Sequence, residues 1–239
     1  MRRFLAFDIE TAKILPETVS DIMAHRPLGI ACAAASADDL PEPLVWHGRD
    51  ESGGPSGRMT REEAALLVAD LTSLASRGYT LLTWNGLGFD FDVLAEESGE
   101  SKACALLAAG HVDMLFHAVC SLGHRISLQK AAEGMHLPGK KAGVSGALAP
   151  AMWAAGRHEE VVEYCKQDVR LTLQLAQACE GARQLAWVTQ RGSRKQMPLR
   201  SGWLAVKEAG ALPLPDTSWM SDPPSRDRYL GWIRQAGAL

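Results

Sequence analysis

Residues 4–11 read FLAFDIET. The run is short, apolar and β-favouring until two acids interrupt it, and it lies near the start of the chain. Phe4–Asp8 therefore has the composition of a buried strand. Alternate residues of a strand share a face, so Asp8 and Glu10 point the same way. An acid pair at this spacing is common. A carboxylate closing an apolar strand is less so, because burying it without a partner is costly. The bland alternative is a strand that frays into a solvated turn at Asp8.

Two further acidic motifs stand in similarly apolar settings. In LLTWNGLGFDFD a strand over about Thr80–Trp84 gives way at Asn85-Gly86, a turn signal, to a helix over about Phe89–Glu97. Asp90 and Asp92 both fall in the first turn of that helix. There the helix dipole alone favours an acid, and spacing does not choose between them. In HEEVVEYCKQDVRLT the residues Val161, Val162, Cys165, Val169, Leu173 and Ala176 recur at helical spacing, predicting a helix over about His158–Cys179. Tyr164 and Asp168 are four apart and stack on one face of it.

Three carboxylate motifs far apart in sequence suggest one site assembled by folding. Carboxylates converging in a cleft repel one another and are poorly solvated, and divalent cations relieve both problems. The chemistry that uses two such cations on carboxylates is in-line displacement at phosphorus.

The order D-x-E, N-x-x-x-F-D, Y-x-x-x-D resembles the DEDD superfamily of 3′–5′ exonucleases. Asn85, Phe89 and Asp90 match its second motif, which selects Asp90 over Asp92. One branch of the family carries His five residues before the last Asp, where this chain has Glu163. The other carries Tyr four before it, and Tyr164 fits, so the chain resembles the tyrosine branch, DEDDy. Within it, WNGLGFD and YCKQDV are most similar to stand-alone exonucleases related to the exonuclease domain of family B DNA polymerases.

The likeness spans about Arg3 to Ala182. It implies an α/β ribonuclease H-like fold, a central mixed sheet flanked by helices. An exonuclease domain would occupy residues 1–182, and a C-terminal extension, 183–239, would pack on it. It implies two Mg²⁺ or Mn²⁺ ions, with Asp8 bridging both, Glu10 and Asp168 completing the coordination of the first ion, and Asp90 holding the second, partly through water. Tyr164 would orient the attacking water. Thr11 and Asn85 would face the terminal nucleotide, with Phe89 nearby. The implied substrate is the 3′ end of single-stranded nucleic acid, DNA ahead of RNA, and the products are nucleoside 5′-monophosphates. The alternatives are an RNA-trimming exoribonuclease, a phosphoesterase acting on nucleotides, and a catalytically silent nucleic-acid-binding module, against which the intact acid set speaks.

At 239 residues and 46% hydrophobic, the chain can bury a sizeable core. No apolar run approaches the ~20 residues that span a bilayer, so no membrane association is expected. Asp8 interrupts the apolar stretch after Arg2 and Arg3, unlike a secretory signal. The five cysteines form no C-x-x-C pair and read as buried free thiols of a reducing cytoplasm.

The net charge of −3 is unevenly spread. Gly181 to Lys207 holds Arg183, Arg191, Arg194, Lys195, Arg200 and Lys207 and no acid, so it carries +6 against −9 elsewhere. Trp187 and Trp203 are interleaved with these charges. Basic residues neutralise phosphates and indoles stack on bases. A solvated hairpin packed on its tryptophans explains the pattern equally well.

Elsewhere strands are expected over Ile30–Ala35 and Leu44–His47, and Thr60 with Glu63 forms a capping box for a helix ending near Arg77. Further helices are expected over Val112–Cys120, Leu128–Gly134 and Gly146–Ala155. Asp113 reads as a helix N-terminal residue or an acid supporting the site. Gly134 to Lys140 mimics a phosphate-binding G-x-x-x-x-G-K loop, but Lys141 replaces the required Ser or Thr, and the stretch follows a helix. His111, His117, His124 and His136 lack zinc-ligand spacing and read as surface or capping residues. The tail, Leu212–Leu239, shows no regular element before about Arg226. Its Trp219, Tyr229 and Trp232 suggest that it packs on something.

Overall fold

The computed structural model describes residues 2–16, 18–139 and 146–239. In chain order the strands and helices are β1 (Arg3–Thr11), β2 (Ile30–Ser36), β3 (Leu44–His47), α1 (Arg61–Ser76), β4 (Tyr79–Thr83), α2 (Asp90–Ser98), α3 (Ser101–Gly110), β5 (Val112–Asp113), α4 (Met114–Leu122), α5 (Leu128–Gly134), α6 (Ala149–Ala154), α7 (His158–Ala182), β6 (Gln184–Val188), β7 (Arg194–Pro198), α8 (Val206–Ala209) and α9 (Arg226–Gln235).

Five strands form one mixed sheet in the order β3-β2-β1-β4-β5. The central strand β1 runs antiparallel to β2 and parallel to β4. Its side chains divide by parity, as a strand requires. Leu5, Phe7 and Ile9 enter a core shared with α1, α2 and α3. Phe4 and Ala6 enter a second core with α5, α6 and α7. Asp8 and Glu10 continue the even-numbered row, towards α7. Strand β2, IACAAAS, is buried along its whole length, and its small side chains let α7 lie across it and β1. The result is the ribonuclease H-like α/β arrangement expected from the sequence.

The expected strands are present, Leu44–His47 with the same bounds and the others within three residues at each end. The capping box also forms: Thr60 accepts from the Glu63 amide and Glu63 from the Thr60 amide, opening α1. Two expectations need correction, and one helix goes beyond them. Val112–Asp113 is not helical but extends beside β4, and α4 starts at Met114, two residues later than expected, where the Asp113 carboxylate caps it by accepting from the Phe116 amide. The helix expected over Gly146–Ala155 spans only Ala149–Ala154, with Pro150 in its first turn. Helix α3 was not legible: SKACALLAAG lacks the polar face that marks an amphipathic period, and its Cys104, Ala105 and Ala108 are fully buried.

The Gly134 mimic of a phosphate loop has a packing explanation. A Cβ at Gly134 would lie 2.3 Å from the Trp187 Cα, so glycine lets α5 touch β6. Lys140 and Lys141 lie outside the described residues. Among the described residues, no helix is long and apolar enough to cross a membrane.

The tail is anchored. Arg226 donates to the carbonyls of Gly210, Cys120 and Pro213, and α9 inserts Tyr229, Leu230 and Ile233 into the α1–α3 core. Trp219 departs from the expectation of packing: it is 67% exposed.

Candidate active site

Parity places Asp8 and Glu10 on the α7 face of β1. An Asp8 oxygen, a Glu10 oxygen and the Cys165 sulfur of α7 lie within 4.8 Å of one another. The Cys165 thiol is 3.6 Å from the Asp8 carbonyl and 3.9 Å from its Oδ2, joining residues 157 positions apart. Glu10 is 5% exposed and Asp8 half-buried. A hydrogen bond with Cys32, then burial and the Asp8 charge, push the Cys165 thiol well above its ordinary range. Cys32 itself pairs with Glu10 across the β1–β2 ladder.

The second motif is fixed by its turn. Asn85 adopts a left-handed φ of 79°, a conformation that Asn tolerates better than most residues. A Cβ at Gly86 would meet the Thr83 side chain at 2.5 Å, so the next position requires glycine. Asp113 then grips the loop, accepting from the Asn85 amide at 3.0 Å and the Leu87 amide at 2.9 Å while capping α4. Asp113 is thus both a helix cap and a support for the motif loop. Out of this turn Asp90, 3% exposed, begins α2 and accepts from the Ile9 amide at 3.0 Å. Its carboxyl group is in hydrogen-bonding contact with that of Asp8. Burial pushes Asp90 up to about 7 despite the Ile9 amide, and the Asp113 charge adds to the rise. Asp92 turns away and pairs with Arg26 at 2.9 Å.

The structure therefore brings Asp8, Glu10 and Asp90 together. Helix α7 carries Tyr164 and Asp168, 7% and 6% exposed, on the turns beside Cys165. Glu163, where the histidine branch would have its base, instead pairs with Lys166 and Arg170. Thr11 closes β1, half-buried, and Phe89 is half-buried before α2. Cys165 and Cys32 escaped functional notice in the sequence. The signal for Cys165 was its place between Tyr164 and Asp168 on an otherwise aliphatic stripe.

Two expectations about other residues fail. His111 and His117 are not surface residues: they are 1% and 5% exposed. His111 bridges the Ala108 carbonyl and the Thr83 hydroxyl. His117 accepts from the Leu204 amide, packs edge-on to Trp203, and is pushed down to about 4 by burial. Trp187 and Trp203 are unavailable as base-stacking platforms, being 7% and 0% exposed. Strand pairing turns Trp187 inward, and the Trp203 indole donates to the Ala176 carbonyl.

A sequence model of the RNase H superfamily matches residues 56–179, just over half of the chain. The chain belongs to the RNase H superfamily. The matched span includes Asp90, Tyr164 and Asp168 and begins after β1. Among solved structures, the family B DNA polymerase of the archaeon Pyrobaculum calidifontis is similar over all of this chain, at 17% identity and a TM-score of 0.56. The chain spans 29% of that polymerase's length. E. coli Exonuclease I, solved with a 5cy-dA13 oligonucleotide, aligns with 76% of this chain and 41% of its own at 18% identity, with a TM-score of 0.37. The polymerase likeness shows the fold. No curated protein matches the chain.

Proposed function

We propose that this member of the RNase H superfamily is a metal-dependent 3′–5′ exonuclease of the DEDDy type. It would hydrolyse single-stranded nucleic acid, DNA ahead of RNA, to nucleoside 5′-monophosphates. The observation that carries the reading is the meeting of Asp8, Glu10 and Asp90, contributed by two separate motifs, against the helix that bears Tyr164 and Asp168.

The donor set fits hard divalent cations. Clustered carboxylate oxygens suit Mg²⁺ or Mn²⁺, hard cations that take oxygen ligands. Asp8, Glu10, Asp90 and Asp168 are the residues that would hold two ions. When bound, such ions supply Lewis-acid stabilisation of charge at phosphorus and activation of water.

The chain's own residues supply the geometry. The Ile9 amide fixes the Asp90 carboxylate relative to β1. Asp113 fixes the Asn85 loop through two amides, so Asn85 and Phe89 stand at a set distance from the acids, where they would hold the terminal nucleotide. The Tyr164 hydroxyl would orient the attacking water along the line of displacement.

The test is digestion of 5′-labelled single-stranded DNA and RNA with Mg²⁺, Mn²⁺ or EDTA. The expected result is a stepwise ladder from the 3′ end, mononucleoside 5′-phosphates and no reaction in EDTA. Cleavage of a circular strand, or of one blocked at its 3′ end, would make the protein an endonuclease instead.

A further inference from the structure

A cleft of about 660 Å³ opens beside the candidate active site. One wall is the motif loop, through Asn85, Gly88 and Phe89, with Ile22 and Met23 from the connection after β1. The other wall is the C-terminal extension, through Met220, Pro224, Arg228 and Tyr229, and Arg125 also lines the cleft. The extension is locked to the motif loop. The Trp232 indole donates to the Leu87 carbonyl at 2.9 Å. A Cβ at Gly88 would come within 3.1 Å of the Tyr229 ring and 2.9 Å of the Asn85 Oδ1, so the motif loop and α9 pack closely there.

The lining has the chemistry of a nucleotide chain's partner. Of the three arginines, Arg26 is neutralised by Asp92 and Glu96. Arg125 and Arg228 are exposed and have no carboxylate partner among the described residues. Arg125 is held over the Tyr229 ring, 5.4 Å from its centroid, with Nε donating to the Tyr229 hydroxyl at 2.7 Å. A guanidinium so held, with donors to spare, suits a phosphate. Phe89, Ile22, Met23 and Met220 supply apolar surface for bases. Asp21 and Asp222 also line the cleft. Carboxylates repel phosphate but accept from exocyclic base amines, so the mixed lining suits a strand with bases better than a bare polyanion. Beside Met220, the Trp219 ring stands near His124 at 6.2 Å and is mostly exposed. An exposed indole is a stacking platform for any base.

We propose that the C-terminal extension forms the second wall of a single-strand channel. Arg125 and Arg228 contact phosphates upstream of the scissile one, and Trp219 stacks on a base at the rim. This rests on the exonuclease reading and assigns the residues that hold the strand behind its 3′ end. The occupant is a single nucleic-acid strand, because the cleft is lined by the Asn85 loop of the candidate site and sets two exposed guanidiniums beside apolar surface that bases can cover.

The test is fluorescence anisotropy of labelled d(T)12 and r(U)12, with Ca²⁺ replacing Mg²⁺ to block hydrolysis. Replacing Arg125 and Arg228 together with Ala should weaken binding at least about tenfold and lower the slope of log affinity against log salt by about 1.4, at ~0.7 per lost contact. Trp219→Leu should weaken it about fivefold or more, the lower end for one base stack. Arg228→Glu serves as a second variant, because its side chain makes no hydrogen bond or ion pair among the described residues. Wild-type affinity and salt slope in all three variants would overturn the channel, while wild-type digestion in Mg²⁺ would leave the exonuclease reading standing. Failure of the wild-type protein to bind or digest either strand would overturn both. The relative affinities for d(T)12 and r(U)12 separate DNA from RNA.

Discussion

The acid cluster and the basic hairpin β6–β7 carry opposite charge and handle it in opposite ways. At the cluster the charges are buried: Glu10, Asp90 and Asp168 are each no more than 6% exposed. At the hairpin the charges stay in water and the aromatics are buried. Arg191, Arg194, Lys195 and Arg200 are exposed, while Trp187 and Trp203 are sealed in the core. Clustered buried carboxylates are a setting that divalent cations suit, so the acids carry the functional reading. Solvated charge needs nothing, so the +6 segment carries little information about function.

The largest expected effect lies at the cluster. Asp8→Ala or Asp168→Ala should lower turnover by several orders of magnitude, since metal activation of water spans roughly 8–9 pKa units. The variants should remain folded by circular dichroism, because the apolar residues of β1 and α7 that pack the two elements together are untouched. Digestion at wild-type rate by either folded variant would show that the acids are buried for some structural reason, and the contrast with the hairpin would lose its functional meaning.

Tyr164→Phe separates positioning from metal binding within the same region. Loss of one positioned polar group should cost about 10²–10³-fold in turnover. Calorimetric Mn²⁺ affinity should match the wild type. If the variant binds Mn²⁺ as weakly as Asp168→Ala, then Tyr164 holds the helix in place and orients no water.

What was legible in the sequence follows the same division. The β1 strand and its acid pair could be read because parity in a strand is rigid: Phe4 and Ala6 against Leu5, Phe7 and Ile9 fixed where Asp8 and Glu10 point. The α7 stripe and the Thr60–Glu63 capping box could be read because their spacing is their mechanism. Spacing left Asp90 and Asp92 undecided, since both sit in one helical turn. Only the fold shows Asp90 on the Ile9 amide and Asp92 on Arg26. Cys165 beside Asp8, Asp113 beneath the Asn85 loop and the α9 wall of the cleft all depend on contacts between residues far apart in the chain. The burial of Trp203 against His117 belongs to the same class: interleaving with charges could not tell which side of the chain faces the core.

That burial gives a third prediction, on the hairpin side of the comparison. His117 has a folded pKa of about 4 against 6.5 for the free side chain, because burial disfavours its charged form. Below 6.5 the unfolded chain binds a proton that the folded chain refuses, so stability falls as pH drops from 6.5 towards 4. The loss from this group is up to about 3 kcal/mol, at 1.36 kcal/mol per unit. His111, also lowered by burial, adds in the same direction. Urea unfolding at pH 7.5 and pH 5 should show the decline, and His117→Gln should flatten it. An equal decline in the variant would mean that the His117–Trp203 contact opens to solvent, and that Trp203 is freer than its burial implies.

The smallest expected effect belongs to the hairpin's own charges. Arg194 is already engaged, its Nε donating to the Gly134 carbonyl at 2.8 Å, so it braces β7 against α5. Lys195 stands opposite Trp187 in the ladder, and that ring faces inward, where no base can reach it. Without a stacking partner the hairpin offers only diffuse attraction, and exposed charges farther than about 8–10 Å from a phosphate are screened at physiological salt. Replacing Arg194 and Lys195 with Ala should therefore change the salt slope for single-strand binding by less than the roughly 0.7 due to one direct contact. Anisotropy in Ca²⁺ measures it beside the Arg125 and Arg228 variants. A drop of 1.4 or more for the hairpin pair, with none for the cleft pair, would reverse the comparison. The strand would then track the exposed +6 segment, and the cleft walled by α9 would have another occupant.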